Sequence, residues 1–311
     1  MALYRHNLPH LGADIFACYT GMDTEILFRD GIDLPGFASY PLLLNPQHKN
    51  LIRNYYCQLA ELAREQNVGL ILDSVTWVAN RDRGAALGFT PYDLKHFNMA
   101  AIDLLVDVRQ KMGDLPTVLS GQVGPRGDGY TADDRMTTEQ AEHYHAEQIQ
   151  VYSQTEVDFI SGFTLCYPEE ASGIVRAATK YKLPVAISFT VETDGRLPTG
   201  MSVKDAIEQV DDETYGKAIY FLINCAHPEH LLNTFSDGVW LQRLRGVVVN
   251  ASRCSHAELN DSETLDDGDP NELGMQVAKL RQQFPHFTIL GGCCGSNLRH
   301  MKRILEQAKV A

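Results

Sequence analysis

Phe287-Thr288-Ile289-Leu290-Gly291-Gly292-Cys293-Cys294-Gly295 is the stretch on which the fold turns. Its first four residues make a short buried strand, and the glycines and adjacent cysteines that follow end it. Packing gives little reason to hold two cysteines between glycines. Two soft ligands turned toward one metal ion supply one. A second apolar run, Ala218-Ile219-Tyr220-Phe221-Leu222-Ile223-Asn224, ends in Cys225 in the same way. Strands that finish in chemistry are the mark of a (β/α)8 barrel, where the loops after the strands converge on one mouth.

Working outward from these two runs, six more short apolar segments appear. They are Asp14-Ile15-Phe16-Ala17-Cys18, Gly69-Leu70-Ile71-Leu72, Thr117-Val118-Leu119-Ser120, Asp158-Phe159-Ile160-Ser161, Pro184-Val185-Ala186-Ile187-Ser188-Phe189 and Gly246-Val247-Val248-Val249-Asn250. Stretches of helical period lie between them, at 48–66, 91–112, 138–154 and 168–182. Eight such βα units predict a single (β/α)8 TIM barrel over residues 1–311. An open doubly wound sheet has the same alternation but needs a glycine-rich phosphate turn after an early strand, and neither GxGxxG nor GxxxxGK[ST] occurs. No linker, internal repeat or low-complexity segment divides the chain. The acidic tract 261–269 lacks EF-hand spacing and reads as a solvated loop or helix start.

The formal charge of -13 argues against a surface for nucleic acid and for a small-molecule substrate. No run of eighteen apolar residues occurs, and the start Met1-Ala2-Leu3-Tyr4-Arg5-His6 lacks signal-peptide layout. These features predict a cytoplasmic protein without a membrane partner. Seven cysteines are an odd count and suit metal or catalytic use better than a disulfide framework. Cys18, Cys57 and Cys166 sit in or beside apolar segments and read as small buried hydrophobes.

Zn2+ suits a set of three thiolates: it is borderline soft, tolerates distorted tetrahedra and leaves a fourth position for substrate. A free thiol, with a pKa near ~8.5, is mostly protonated at neutral pH, whereas coordination deprotonates it. The bound thiolate can then attack an activated methyl group in line. A strained redox disulfide and a tight turn of small residues are the alternatives for Cys293-Cys294. His227, His230, Cys254 and His256 are further ligand candidates by proximity in sequence.

Asn224-Cys225 and Gly291 to Gly295 resemble the Asn-Cys and Gly-Gly-Cys-Cys-Gly signatures of the homocysteine S-methyltransferase family. Gly21-Met22-Asp23-Thr24-Glu25, Thr76-Trp77, Gly121-Gln122-Val123-Gly124-Pro125 and His300 extend the resemblance over nearly the whole chain. It implies a zinc-dependent barrel enzyme that moves a methyl group from a sulfonium or ammonium donor to a thiol, homocysteine giving methionine. Cys225, Cys293 and Cys294 are then the zinc ligands and catalytic centre. Tyr19, Gly21, Asp23, Thr24, Trp77, Phe163 and Asn250 are the implied substrate-binding positions. Asn250 is matched to an asparagine that approaches the metal when substrate is absent, and Trp77 offers an aromatic face to a cationic methyl donor.

Two departures bear on the acceptor. The family's first strand ends in Asp-Gly-Gly where this chain has Tyr19-Thr20-Gly21, and its Phe-Glu-Thr, whose glutamate holds the amino group of homocysteine, is here Gly162-Phe163-Thr164. Losing a charge-assisted partner for a buried ammonium costs about 1.5 to 3 kcal/mol. Asp23, Asp73 and Glu192 are the carboxylates that could replace it. The alternatives are the same chemistry on a thiol without a free α-amino group, or a non-catalytic zinc or thiol-binding relative. No cobalamin- or folate-binding segment is read, so direct transfer from S-methylmethionine, S-adenosylmethionine or betaine is expected. The outer faces of barrel helices are compatible with a homo-oligomer.

Overall fold

The computed structural model describes residues 2–232, 235 and 238–310. Eight strands close on themselves in chain order: β1 (Phe16–Thr20), β2 (Gly69–Asp73), β3 (Thr117–Val123), β4 (Phe159–Leu165), β5 (Val185–Thr190), β6 (Phe221–Ala226), β7 (Leu244–Val249) and β8 (Ile289–Gly292). Each pairs in parallel with its neighbours, and β8 returns to β1 through Phe16↔Ile289 and Ala17↔Leu290. The single TIM barrel read from the sequence is the fold.

Helices α1 (Met22–Phe28) and α2 (Pro46–Glu65) precede β2, and α3 (Arg81–Ala86) and α4 (Pro91–Met112) precede β3. After them come α5 (Thr138–Ser153), α6 (Pro168–Lys180) and α7 (Val203–Thr214), one per unit, then α8 (His256–Asn260), α9 (Pro270–Gln283) and α10 (Leu298–Ala308). The starts are written in the sequence. Thr90 and Thr137 each open a helix with a reciprocal capping box, to Asp93 and Gln140, and Asn45 caps α2 ahead of Pro46. One unit departs from the expected repeat. Between β6 and β7 the described residues form two short 3-10 helices, Pro228–His230 and Val239–Arg243, where an α-helix would complete the alternation.

Two strands run further toward the mouth than their apolar runs suggest. Asp14 is exposed, so β1 starts at Phe16 and carries Tyr19 to its end; β4 continues through Phe163 and Thr164 to Leu165. The barrel interior is filled by Phe16, Ile71, Val118, Phe159, Leu222 and Ile289, while a larger apolar layer lies between strands and helices. Cys18 and Cys166 are buried and Cys57 is partly so, as expected of packing cysteines. The opposite end is plugged. His10 packs its ring 4.9 Å from Phe159, Arg109 pairs with buried Asp158 at 2.9 Å, and the Tyr4 amide donates to the same carboxylate. No helix among the described residues is long and apolar enough to cross a membrane.

Candidate metal and substrate site

Cys225 stands at the end of β6 and Cys293 follows β8, so the closed sheet brings both to one mouth with Cys294. The Cys225 Sγ lies 2.8 Å from that of Cys293 and 3.8 Å from that of Cys294, and all three sulfurs fall within 4.8 Å of one another. Local backbone aims them. Cys225 has φ of 55° and Thr164, across the mouth, 61°, both in the left-handed region that costs a side-chain-bearing residue roughly 1 to 2 kcal/mol. Asn224 offsets this strain. Its Oδ1 accepts from the Thr164 amide (3.0 Å) and Ser188 Oγ (2.7 Å), and its Nδ2 donates to Thr164 Oγ1 at 2.8 Å.

The vicinal pair is held as firmly. The Cys293 amide donates to Val249 O, and Cys293 O accepts from the Ser296 amide and hydroxyl. Thr24 joins this turn to α1: its hydroxyl donates to Gly21 O at 2.7 Å and accepts from the Gly295 amide at 3.1 Å. Thr24 and Gly21 therefore act on the cysteine turn as well as lining the site.

The three thiols behave as one titrating group. Donation from Cys293 and Cys294 pulls the Cys225 thiol well below its ordinary value, and the same bonds push Cys293 and Cys294 well above theirs.

Two connected chambers lead to the sulfurs. The inner one, of about 40 Å³, is lined by the cysteines with Tyr19, Gly21, Asp23, Gln122, Phe163 and Thr164. The outer one, of about 330 Å³, opens beyond it past Trp77, Arg83, Asp128, Asn250, His256 and Asp266. Thr24, Phe37, Trp77, Tyr130 and Cys294 border both.

Tyr19 donates its hydroxyl to Asp23 Oδ2 in a short hydrogen bond. Burial pushes the Asp23 carboxyl up, opposed by the hydroxyls of Tyr19 and Ser39. Trp77 donates its indole N–H to Phe163 O at 3.1 Å and carries the Arg83 guanidinium over its ring at 5.3 Å. Phe163 is 4% exposed and presents hydrocarbon to the inner chamber. Asn250 borders the outer chamber and has a buried Oδ1 without a hydrogen-bond partner.

Among the described residues, none of His227, His230, Cys254 or His256 joins the sulfur cluster. His227 caps a 3-10 turn, His230 bonds Arg253 O, and Cys254 is exposed. His256 reaches the site indirectly, with Nε2 at 2.7 Å from Cys225 O and Nδ1 at 3.2 Å from Glu192, which ties Glu192 down. His300 receives the Asn297 amide and bonds Asp267 O, fixing the start of α10. The acidic tract is mostly exposed and leads into α9, as a solvated loop or helix start would. Asp266 accepts from Ser252 and borders the outer chamber, Asp267 binds Arg29 and Arg299, and Asp269 caps α9.

Tyr130 was not legible. Its hydroxyl lies 3.2 Å from Cys225 Sγ and its ring 4.2 Å from that of His256, beside the sulfurs and on the border of both chambers. It sits on the loop after β3, where the Asp128 carboxylate accepts its amide, and no spacing in the sequence links that loop to Cys225.

Asp73 lies below the site. It is 3% exposed, accepts from Ser161 at 2.9 Å, and faces a void of about 10 Å³ behind Tyr19. Burial raises its carboxyl from 3.8 to about 6. Between those values the folded chain binds the proton more tightly than the unfolded chain, so this group's contribution to stability falls as pH rises through the window. Asp73→Asn should remove that component, worth about 3 kcal/mol. Urea midpoints at pH 4.5 and 7 check it, and a variant with the wild-type pH slope would contradict it.

The closed βα barrel gathers three thiols at the carboxyl ends of its strands, where they could hold one metal ion. The homocysteine S-methyltransferase family profile matches residues 20–308, and the chain belongs to that family, whose members are methyltransferases. Escherichia coli homocysteine methyltransferase MmuM is similar in fold. Its oxidized form gives a TM-score of 0.69 at 17% identity, covering 96% of each chain. Its metallated form gives 0.66 at 18%, covering 95% of this chain and 96% of that one. No curated protein matches.

Proposed function

We propose that this enzyme transfers a methyl group from a sulfonium or ammonium donor to the thiol of homocysteine, giving methionine, with zinc held by Cys225, Cys293 and Cys294. The observation that carries this is the approach of three sulfurs within 4.8 Å at the inner end of a chamber. That donor set fits a soft tetrahedral cation. When bound, zinc would lower the pKa of the acceptor thiol and keep it as a thiolate.

The chain's own groups do the remainder. Tyr130, Phe163 and Trp77 keep water from the sulfurs, and the narrow inner chamber fixes the acceptor. The donor enters through the outer chamber, where the Asp128 and Asp266 carboxylates attract positive charge and Trp77, one face of which carries Arg83, borders its path. Asn250, with its unpartnered oxygen, is poised to serve the metal site when no substrate fills it. The seven free cysteines suit a reducing compartment and support a cytoplasmic setting for the reaction.

Phe163 favours a second reading, an acceptor thiol lacking an α-amino group. The test is zinc content of the reduced protein together with methyl transfer to homocysteine from S-methylmethionine, S-adenosylmethionine and betaine. We expect one zinc per chain and turnover with at least one donor. Absence of zinc after reduction overturns the mechanism; zinc without turnover for any donor favours a binding protein.

A further inference from the structure

We infer that Asp23 is the anionic partner of an ammonium group carried by the acceptor, so that the inner chamber selects an aminothiol. This rests on the thiol-acceptor reading above. The inner chamber has the sulfurs on one side and Asp23 among its other walls. Asp23 Oδ2 accepts from the Tyr19 hydroxyl and the Ser39 hydroxyl also lies near the carboxyl, while Oδ1 is shielded from solvent and makes no hydrogen bond in the structure. A buried carboxylate oxygen left unpaired is costly, and most such atoms in folded proteins have partners. No lysine, arginine or histidine is among the described residues lining this chamber, so the protein supplies no cation for it. A ligand N–H would satisfy it.

The other carboxylates near the mouth do not line this chamber. Asp73 also keeps an unpartnered oxygen, Oδ2, but faces the separate void behind Tyr19 and takes the Ser161 hydroxyl on Oδ1, and Glu192 is held by His256. Asp128 accepts the Tyr130 amide and Asp266 the Ser252 hydroxyl, both on the outer chamber. Tyr19 is the positioning residue. Its donated hydrogen bond fixes Oδ2 and leaves Oδ1 for a second donor. A thiol chain that sets its sulfur at the cysteines and its amino group at Asp23 would have both ends of its reactive half bound, and Phe163 would pack on the methylenes between them.

The experiment is calorimetric titration of the zinc-loaded protein with four thiols: homocysteine, 3-aminopropanethiol, 4-mercaptobutyrate and propanethiol. The wild type should bind the two amino-bearing thiols about tenfold or more tighter than their amine-free counterparts. Asp23→Asn should erase that preference while binding 4-mercaptobutyrate within about twofold of wild type and retaining its zinc. Equal binding of aminated and amine-free thiols by the wild type overturns the assignment, and this comparison needs no variant to fold. A variant that keeps the preference, or loses all four thiols alike with zinc intact, also overturns it. Wild-type protein that binds none of the four overturns the thiol-acceptor reading itself, and the Asp23 assignment with it.

Discussion

Cys293→Ala is expected to strip the metal from the purified protein and abolish methyl transfer while leaving the barrel folded. Cys293 is the member of the cluster nearest Cys225, 2.8 Å away, and its loss leaves two sulfurs 3.8 Å apart with no third soft donor. A structural zinc site takes four protein ligands and a catalytic one three, so two thiolates fall below either set. The fold has less at stake. The Cys293 backbone makes the contacts that shape the turn, through its amide to Val249 and its carbonyl to Ser296, and alanine keeps both. Metal analysis and circular dichroism on the same sample separate the two effects. A variant with full metal content and wild-type turnover would end the assignment of this cysteine as a ligand.

The parts of this molecule that repeat were readable, because the physics that makes them is local. Each strand announced itself as a short apolar run, and the helical stretches read at 91–112 and 138–154 coincide with α4 and α5. The cysteines were readable for a different reason: Cys225 and Cys293-Cys294 end two such runs, and a closed barrel must bring those ends together. What stayed hidden depends on side chains meeting across loops. Nothing in Asp128-Gly129-Tyr130 shows that the phenol reaches Cys225, and nothing at Tyr19 shows that its hydroxyl finds Asp23 four residues later over the start of α1. The exchange of an expected carboxylate for Tyr19 looked like a loss of charge in the sequence. In the structure the Tyr19 hydroxyl holds a carboxylate, that of Asp23.

The segment after β6 failed for lack of periodicity. Its Pro228 starts one tight turn capped by His227, and the apolar Leu231, Phe235, Trp240 and Leu241 pack without an α-helix among the described residues. Burial there is irregular, so a rule built on helical spacing has nothing to measure.

Gly21→Ala should cost the enzyme its metal as surely as the loss of a ligand, although Gly21 carries no ligand atom. Gly21 has φ of 60°, and a Cβ there would lie 2.2 Å from Cys293 O and 2.7 Å from Ser296 O. Both obstacles are backbone of the turn that presents Cys293 and Cys294, so neither can rotate aside. Relief requires α1 or the cysteine turn to move by about an ångström, and metal sites rarely tolerate such a shift in their supports, whose loss typically costs 10- to 100-fold in affinity. Gly31 is the matched control. It has φ of 68° with nothing within 4 Å of a built Cβ, so Gly31→Ala carries the left-handed backbone penalty of about 1 to 2 kcal/mol without the collision. The two variants should lose similar stability from backbone strain, but Gly21→Ala alone should lose zinc in competition with a chelator and turnover with it. Equal zinc retention by both would mean that the cysteine turn yields to α1 without disturbing the sulfurs, and that Gly21 serves the backbone rather than the metal.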